Sequence, residues 1–317
     1  MTHPRTGRPR ERVLTMRGIG KRFGAVKALT DVDFWVNEGE VVALVGDNGA
    51  GKSTLVKVLA GVHPPDAGTI EFDGEPVDIP SPADAQELGI ETIFQDLALC
   101  DNLDVVANLW LGRELRDGAT LDEVDMEQRT WTLLRELSAK IPSVRVPVAS
   151  LSGGQRQTVA IARSLIGEPR VVILDEPTAA LGVAQTAEVL NLIERLRERG
   201  HGVILISHNM ADVLAVADRV VVLRLGRNNG VYNVADVTSE TLIAAITGAV
   251  DHSSGRWAPP AATSSATPAA APVRAAPEPA PSDLPHVEPE PDDDIGGTVI
   301  RMPRTGSRRL PREDGRR

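Results

Sequence analysis

The segment that most restricts the fold of this chain is an octapeptide, Gly46-Asp47-Asn48-Gly49-Ala50-Gly51-Lys52-Ser53. It fits the pattern G-x-x-x-x-G-K-[ST], in which glycines allow the backbone to turn its N–H groups toward a phosphate. The apolar run Val41–Val45 precedes it, as for a buried parallel strand, and a helix pattern begins near Lys52. A strand, a glycine-rich loop and a helix in this order predict an α/β protein with a phosphate-binding loop.

The end of this loop carries side chains suited to nucleotide phosphates and a metal ion. Lys52 can reach the β- and γ-phosphates of a nucleotide, and the hydroxyl of Ser53 can ligate Mg²⁺. We therefore predict that the whole segment Gly46–Thr54 binds a nucleotide with its Mg²⁺. A glycine turn with a surface lysine is the alternative, and it leaves the flanking strand and helix unexplained.

A second apolar run, Val171–Leu174, leads directly into Asp175 and Glu176. Carboxylates at the end of a buried strand are costly unless a cation or hydrogen bonds compensate them. Asp175 is placed to hold Mg²⁺, and Glu176 is a candidate to polarise an attacking water. Two solvated acids at a strand end are the alternative.

Two more strand patterns each end in a polar side chain. Gly202–Ile206 is followed by Ser207 and His208, and Ile90–Phe94 is followed by Gln95. Open parallel sheets bind ligands at the carboxyl ends of their strands, so we expect these side chains at the same edge. His208 can donate a hydrogen bond to a γ-phosphate, and Gln95 can contact both the metal and the attacking water.

A second glycine-rich string, Leu151-Ser152-Gly153-Gly154-Gln155, stands about a hundred residues after the first. It opens a predicted helix, where unpaired N–H groups and the positive end of the helix dipole attract phosphate. One chain with two separate anion-binding helix starts suggests a nucleotide held between two subunits.

Five elements of the sequence follow one another in an order and spacing that resemble the nucleotide-binding subunit of ATP-binding-cassette (ABC) transporters. They are the phosphate loop, Gln95, Leu151–Gln155, the acidic pair and His208. The resemblance covers roughly residues 11–248. It implies a head-to-tail dimer in which ATP lies between the phosphate loop of one copy and Ser152–Gln155 of the other. It also implies that Glu176 is the catalytic base, with His208 beside the γ-phosphate.

Two further positions gain an interpretation from the resemblance. Phe23 falls where such proteins place an aromatic ring on adenine, although a core phenylalanine near a turn is the alternative. Gly182 departs from the family pattern, because many ABC ATPases carry an aspartate there that helps communication across the dimer.

Four segments resemble the simple-sugar branch of bacterial ABC importers, in particular the single-cassette fructose- and ribose-type proteins. They are residues 46–54, 94–114, 178–182 and 207–210. This resemblance implies transmembrane permease subunits, an extracytoplasmic sugar-binding protein and a second copy of the chain as partners. An exporter or a non-sugar importer would share every catalytic residue. A soluble, non-transport ABC protein is a third alternative, although no second cassette or long coiled-coil insertion is visible.

Charge and hydropathy limit which binding partners and which cellular location we expect for this chain. The formal net charge of −10 disfavours nucleic acid as the main partner, since duplex-binding proteins usually present a basic face. No apolar run approaches the roughly 18–20 residues that span a bilayer, and no secretion signal is evident. We therefore expect a peripheral protein at the cytoplasmic face of the cell membrane, held there by its permease. The single cysteine, Cys100, excludes an internal disulfide.

The chain divides into three parts by composition. We expect a basic extension at residues 1–10, the nucleotide-binding domain at residues 11–248 and a Pro/Ala-rich tail at residues 249–317. We predict that the tail is disordered, because it contains more than half of the chain's 23 prolines. Within the domain we expect an N-terminal β-subdomain and an inserted helical subdomain at about residues 96–165. Helices are predicted at 126–140, 153–166 and 184–199. The terminal arginines of the tail suggest contact with anionic lipid or a partner protein, and a dispensable extension is the alternative.

Overall fold

A computed structural model describes residues 11–249 of the chain. The predicted basic extension at residues 1–10 lies outside these residues, and so does the predicted disordered tail from residue 250 onward. The three-part division of the chain therefore stays a prediction. The described part combines parallel and antiparallel sheets with helices, which confirms the α/β class.

The strands, in chain order, are β1 (Arg12–Phe23), β2 (Val26–Asn37), β3 (Val41–Val45), β4 (Ala67–Phe72), β5 (Glu75–Val77), β6 (Ile90–Ile93), β7 (Arg116–Asp117), β8 (Thr120–Leu121), β9 (Val171–Asp175), β10 (Gly202–Ile206), β11 (Arg219–Arg224) and β12 (Arg227–Asn233). The helices are α1 (Lys52–Leu59), α2 (Pro82–Glu87), α3 (Val105–Trp110), α4 (Glu123–Glu136), α5 (Gly153–Leu165), α6 (Val183–Glu198), α7 (Met210–Val216) and α8 (Ser239–Thr247). Within residues 11–249, none of these helices has both the length and the apolar character to cross a bilayer.

The central sheet has six strands in the spatial order β12-β11-β3-β10-β9-β6. The strands from β11 to β6 run parallel, and β12 pairs antiparallel with β11 at one edge. The four predicted strands β3, β6, β9 and β10 all lie in the parallel part. The continuous apolar runs of β3, β9 and β10 suit a sheet that is covered on both faces.

Alternate residues of the parallel strands enter two separate cores. On β3, Val42 and Leu44 pack with α1 and the second sheet, whereas Ala43 and Val45 pack with the helices that cover the opposite face. The second sheet is antiparallel, with the order β2-β1-β4-β5, and supplies the predicted N-terminal β-rich region.

The segment between β6 and β9 contains α3, α4 and α5, in agreement with the predicted helical insertion, but it is not wholly helical. The short strands β7 and β8 form a hairpin that the sequence reading did not predict. The chain reverses through Gly118, whose φ is +61°, directly after Asp117. An Asp-Gly pair is a strong turn signal, so local sequence alone could have revealed this hairpin.

Helix α4 spans Glu123–Glu136, whereas the predicted range is 126–140. It therefore begins three residues earlier and ends four residues earlier than predicted. It begins early because Asp122 caps it, with the side chain accepting a hydrogen bond of 3.0 Å from the backbone N–H of Asp125. It ends at Glu136 because Ser138 adopts a left-handed conformation, with φ +51°. The other two predicted helices, α5 and α6, agree with the structure to within one residue at each end.

Candidate functional site

The carboxyl ends of four neighbouring parallel strands bring the predicted site residues to one edge of the sheet. Asp175 pairs with Ile206 across β9 and β10, and Ile206 pairs with Leu44 across β10 and β3. The phosphate loop therefore begins two residues beyond this level, beside the loop that carries His208. On the other side, Ile93 pairs with Leu174, which places Gln95 and Glu176 equally far beyond that pair.

Two glycines of the loop adopt backbone conformations and close contacts that exclude a side chain. Gly46 has φ +156°, and a Cβ there would lie 2.3 Å from the carbonyl oxygen of Leu223 on the neighbouring strand. Gly51 has φ +104°, and a Cβ there would lie 2.9 Å from the carbonyl oxygen of Ala28. The loop thus folds tightly between β11 and β2, as a phosphate cradle requires.

Lys52 lies at the first position of α1 and its ammonium group points back over the loop. Its Nζ donates to the carbonyl oxygens of Gly46 at 2.7 Å and Asp47 at 3.1 Å. The loop is further closed by the backbone N–H of Asn48, which donates to the carboxylate of Asp47 at 2.7 Å. The cationic group is therefore held where the loop surrounds a phosphate, which fits the predicted role of this lysine.

A cleft of about 430 Å³ opens beside the loop and can accommodate part of a nucleotide. It is lined by Val26, Lys27, Ala28, Asn48–Thr54, Leu225 and Gly226. Val26 and Leu225 are large apolar side chains that are 66% and 76% exposed here, a suitable wall for a sugar or a base. Sequence reasoning missed both residues, because only the folding of β2 and the β11–β12 turn against the loop brings them to the cleft.

Phe23 lies near this cleft without lining it. It pairs with Val26 across the β1–β2 hairpin and its side chain is 44% exposed. Its ring meets the ring of His63 edge-on, with 5.2 Å between centroids. The alternative of a core phenylalanine does not fit this exposure, and the stacking of Phe23 on adenine stays a prediction.

Glu176 and His208, which were predicted from two separate strands, are in direct contact. Nδ1 of His208 lies 2.8 Å from Oε2 of Glu176, a distance at which the ring N–H donates to the carboxylate. The Glu176 carboxylate is mostly buried, whereas the His208 ring is exposed. Glu176 also has a left-handed backbone, with φ +52°, which is rare for a residue other than glycine and is frequent at functional sites.

Asp175 is partly buried next to Glu176, and this environment disfavours its charged form. Burial is the main cause that raises the pKa of Asp175 above its usual value, and the charge of Glu176 raises it further. Lys52 and Lys57 oppose the shift. A divalent cation would reverse the penalty by favouring the carboxylate.

The predicted magnesium ligands are all hard oxygen donors. The hydroxyl of Ser53 is exposed at the first turn of α1, and the amide of Gln95 is exposed just after β6. With Asp175 they form the type of donor set that Mg²⁺ takes when substrate phosphates complete its shell. The residues present therefore fit Mg²⁺.

We expect Asp175→Asn to stabilise the nucleotide-free protein at neutral pH. Because the folded-state pKa of Asp175 is raised, its ionisation destabilises the folded state as the pH rises from the usual aspartate pKa through the folded value. The asparagine variant should be more stable than the parent above that window and equal to it below about pH 4. Urea unfolding of both proteins at several pH values measures the difference. A variant that is less stable than the parent at pH 7 would contradict the prediction.

The second glycine-rich string lies at the start of α5, as predicted. The hydroxyl of Ser152 accepts a hydrogen bond of 3.3 Å from the backbone N–H of Gln155, and the amide oxygen of Gln155 accepts one of 3.0 Å from the backbone N–H of Ser152. Ser152 and Gly153 are exposed, whereas Gly154 is buried. None of the residues that line the phosphate-loop cleft comes from this string, so one copy does not bring the two together around that cleft.

Gly182, the departure from the family pattern, is the residue before α6. Its φ of −75° is accessible to any residue, and a Cβ there would meet nothing within 4 Å. The structure therefore offers no steric reason for a glycine at this position.

The amino-acid sequence is similar to those of known proteins. A family described as ABC transporter matches residues 29–179. A xylose/arabinose import ATP-binding protein of Sulfolobus acidocaldarius is 47% identical over 215 residues, which cover 68% of this chain and 86% of that protein. A fructose import ATP-binding protein of Rhizobium meliloti is 45% identical over 247 residues, which cover 75% of this chain and 95% of that protein. A ribose import ATP-binding protein of Rubrobacter xylanophilus is 44% identical over 236 residues, but they cover only 47% of its length.

Solved structures give the same fold. The chain is similar to cbiO1 of Clostridium perfringens, part of an ABC transporter complex, with a TM-score of 0.64, 30% identity, and coverage of 74% of this chain and 93% of that one. It is also similar to the ADP conformation of an ATP-binding cassette of an ABC transporter, with a TM-score of 0.64, 26% identity and coverage of 74% and 95%. The predicted cassette fold is thus confirmed.

Proposed function

Because this chain belongs to the ABC transporter family and is an ATP-binding cassette with ATPase activity, we propose that it powers the import of a simple sugar through a separate permease. The observation that carries the catalytic part is the contact of 2.8 Å between His208 and Glu176 at the sheet edge that also holds the phosphate loop. The cargo class rests on the relatives described above, which are import ATP-binding proteins for xylose/arabinose, fructose and ribose.

In the proposed reaction the groups at the sheet edge divide the tasks of phosphate binding, metal binding and proton transfer. The loop N–H groups and Lys52 bind the phosphates, while Ser53, Asp175 and Gln95 hold Mg²⁺. Mg²⁺, when bound, neutralises charge that develops on the phosphates. Glu176 accepts a proton from the attacking water. His208 orients the Glu176 carboxylate through their hydrogen bond and presents its other ring nitrogen toward the γ-phosphate.

We further propose that ATP is shared between two copies of the chain arranged head to tail. The exposed start of α5 supplies the backbone N–H groups and the positive helix end that would meet the γ-phosphate of the partner's ATP. This arrangement gives a function to Ser152 and Gly153, which are exposed and do not line the cleft of their own chain.

We expect Ser152→Arg to prevent ATP-driven dimerisation while leaving ATP binding to a single copy within about twofold, because the phosphate loop is untouched. The arginine side chain would occupy the space that the partner's nucleotide needs. Analytical ultracentrifugation with ATP, together with equilibrium binding of a fluorescent ATP analogue, measures both effects. Ser150→Arg, an exposed serine just before the string, is the matched control. Dimerisation of the Ser152→Arg variant at the parent's ATP concentration would contradict the shared site.

The permease is proposed to dock in a second cleft, of about 350 Å³, between the end of β6 and the helical insertion. Its walls include the exposed apolar side chains of Phe94 and Leu111 and the guanidinium of Arg163, which donates to the backbone oxygens of Leu97 and Ala98. Gln95 follows Phe94 directly, so a segment seated here would lie next to a proposed metal and water ligand. Docking and nucleotide state would then be linked through one short segment.

The proposed location is the cytoplasmic face of the cell membrane, through contact with the permease. An extracytoplasmic binding protein would deliver the sugar to the outer side of that permease. Nucleic acid is not among the proposed partners, in keeping with the net charge of −10.

The test is affinity purification of the tagged full chain from membranes of its native cell, followed by mass spectrometry of the associated proteins. We expect a polytopic permease and an extracytoplasmic sugar-binding protein. An exporter-type membrane protein in their place would overturn sugar import, and ribosomal proteins or DNA would overturn transport. Both results would leave the ATPase chemistry in place.

A further inference from the structure

Helices α5 and α6 begin side by side, and each begins with the same local arrangement. In α5, the third residue, Gln155, returns its amide oxygen to the backbone N–H of Ser152 before the helix. In α6, the third residue is also a glutamine, Gln185, and its Oε1 lies 3.4 Å from the backbone nitrogen of Gly182. Ser152 adds a hydroxyl that closes its helix start, whereas Gly182 has no side chain to do so.

Gln185 also lies directly against the glycine pair of α5. A Cβ built on Gly154 would lie 3.1 Å from Cβ and 3.4 Å from Cγ of Gln185. A Cβ built on Gly153 would lie 3.7 Å from Oε1 of Gln185. The two glycines therefore permit α6 to lie close to the start of α5. The side chains that fill this contact are Leu181, whose Cδ2 would lie 2.9 Å from a Cβ built on Gly153, and Gln185.

The same amide oxygen thus lies beside two segments with different tasks. One is the loop from Glu176 to Gly182, which follows the proposed catalytic base. The other is the exposed start of α5, which is proposed to meet the partner's ATP.

We propose that Gln185 is a positioning residue that fixes the start of α5 relative to the loop that follows Glu176, and thereby couples the two ATP sites of the dimer within each copy. The coupling depends on both ends of this side chain, because the amide oxygen caps Gly182 and Cβ and Cγ lie against Gly154. In a head-to-tail dimer, the α5 start serves the partner's nucleotide while Glu176 serves the copy's own. A rigid connection between them makes each site sense the other.

The proposal rests on the shared ATP site, so the experiment must separate the two. Full-length Glu176→Gln protein, in which ATP is not consumed, serves as the background for three substitutions at position 185. Gln185→Ala removes the oxygen and most of the packing, Gln185→Leu keeps the packing without the oxygen, and Gln185→Glu keeps both. Analytical ultracentrifugation gives the ATP concentration for half-maximal dimerisation, and steady-state hydrolysis in the wild-type background gives the Hill coefficient for ATP.

We expect Gln185→Ala and Gln185→Leu to raise the ATP concentration for half-maximal dimerisation about tenfold, the size of one lost hydrogen bond. Both should lower the Hill coefficient toward 1, whereas Gln185→Glu should match the parent in both measurements. Binding of ATP to single copies should not change in any of them. Asn191→Ala, an exposed amide further along α6, is the control, and thermal unfolding verifies that each variant is folded.

The outcomes are distinct. If the Glu176→Gln background does not dimerise with ATP, the shared site itself fails. If it dimerises and Gln185→Leu behaves as the parent, the amide oxygen has no coupling role and the proposal is overturned. Equal losses in all three variants, including Gln185→Glu, would also overturn it, because they would show a requirement for glutamine beyond an acceptor oxygen.

Discussion

Replacement of Lys52 by alanine should lower the affinity for ATP by about 100-fold or more, since a buried ammonium–phosphate contact contributes several kcal/mol through charge-assisted hydrogen bonds. The structure already places Nζ of Lys52 against the carbonyl oxygens of Gly46 and Asp47, inside the loop that would surround the phosphates. Among residues 11–249, the other lysine that lines the cleft is Lys27, which reaches it from β2 and does not belong to the loop.

Equilibrium titration with a fluorescent ATP analogue measures the effect of the Lys52 substitution directly. Lys140→Ala is the control, because it removes an exposed lysine that lies outside the loop and its cleft. Urea unfolding without nucleotide is needed as well, since the alanine variant also loses two bonds that brace the loop. An affinity for ATP within twofold of the parent would contradict the assignment of the phosphate loop.

Replacement of Glu176 by glutamine should leave ATP binding intact and slow hydrolysis by about 10²- to 10⁴-fold, the usual contribution of a general base. The amide has the size of the carboxylate and its oxygen can still accept the hydrogen bond from His208, so the local geometry should be kept. What it loses is the capacity to take a proton from water. ATP should therefore accumulate in the closed dimer.

Single-turnover hydrolysis and ultracentrifugation of the Glu176→Gln variant test both parts of this expectation. Glu198→Gln, an exposed glutamate at the end of α6, is the control for the loss of one negative charge. A normal hydrolysis rate would show that Glu176 is not the base. A slow rate without a stable dimer would separate the base from the shared site.

The parallel strands were predictable because their sequences satisfy a simple physical condition. Residues of β3, β9 and β10 are apolar at consecutive positions, which is expected only when both faces of a sheet are covered. The phosphate loop was predictable for a related reason. Gly46 and Gly51 occupy positions where a Cβ would collide with backbone atoms, so the tight loop geometry requires glycine at these two positions of the pattern.

The details that failed depend on weaker signals. The end of α4 is decided by the left-handed conformation of Ser138, which the apolar spacing of Leu134 and Leu137 cannot reveal. The hairpin of β7 and β8 was missed because the general helical character of the surrounding segment outweighed its Asp-Gly turn.

What the sequence determined by itself is therefore the identity of the reactive groups and the strands that carry them, because each is encoded by residues next to one another in the chain. Only the tertiary structure decided which groups touch. The contact of Glu176 with His208 joins strands β9 and β10, the wall formed by Val26 and Leu225 joins two sheets, and Gln185 meets the glycines of α5 across a helix pair. The physical reason is distance along the chain. Such contacts arise from the packing of whole elements, and no local pattern of residues specifies which side chains that packing will bring together.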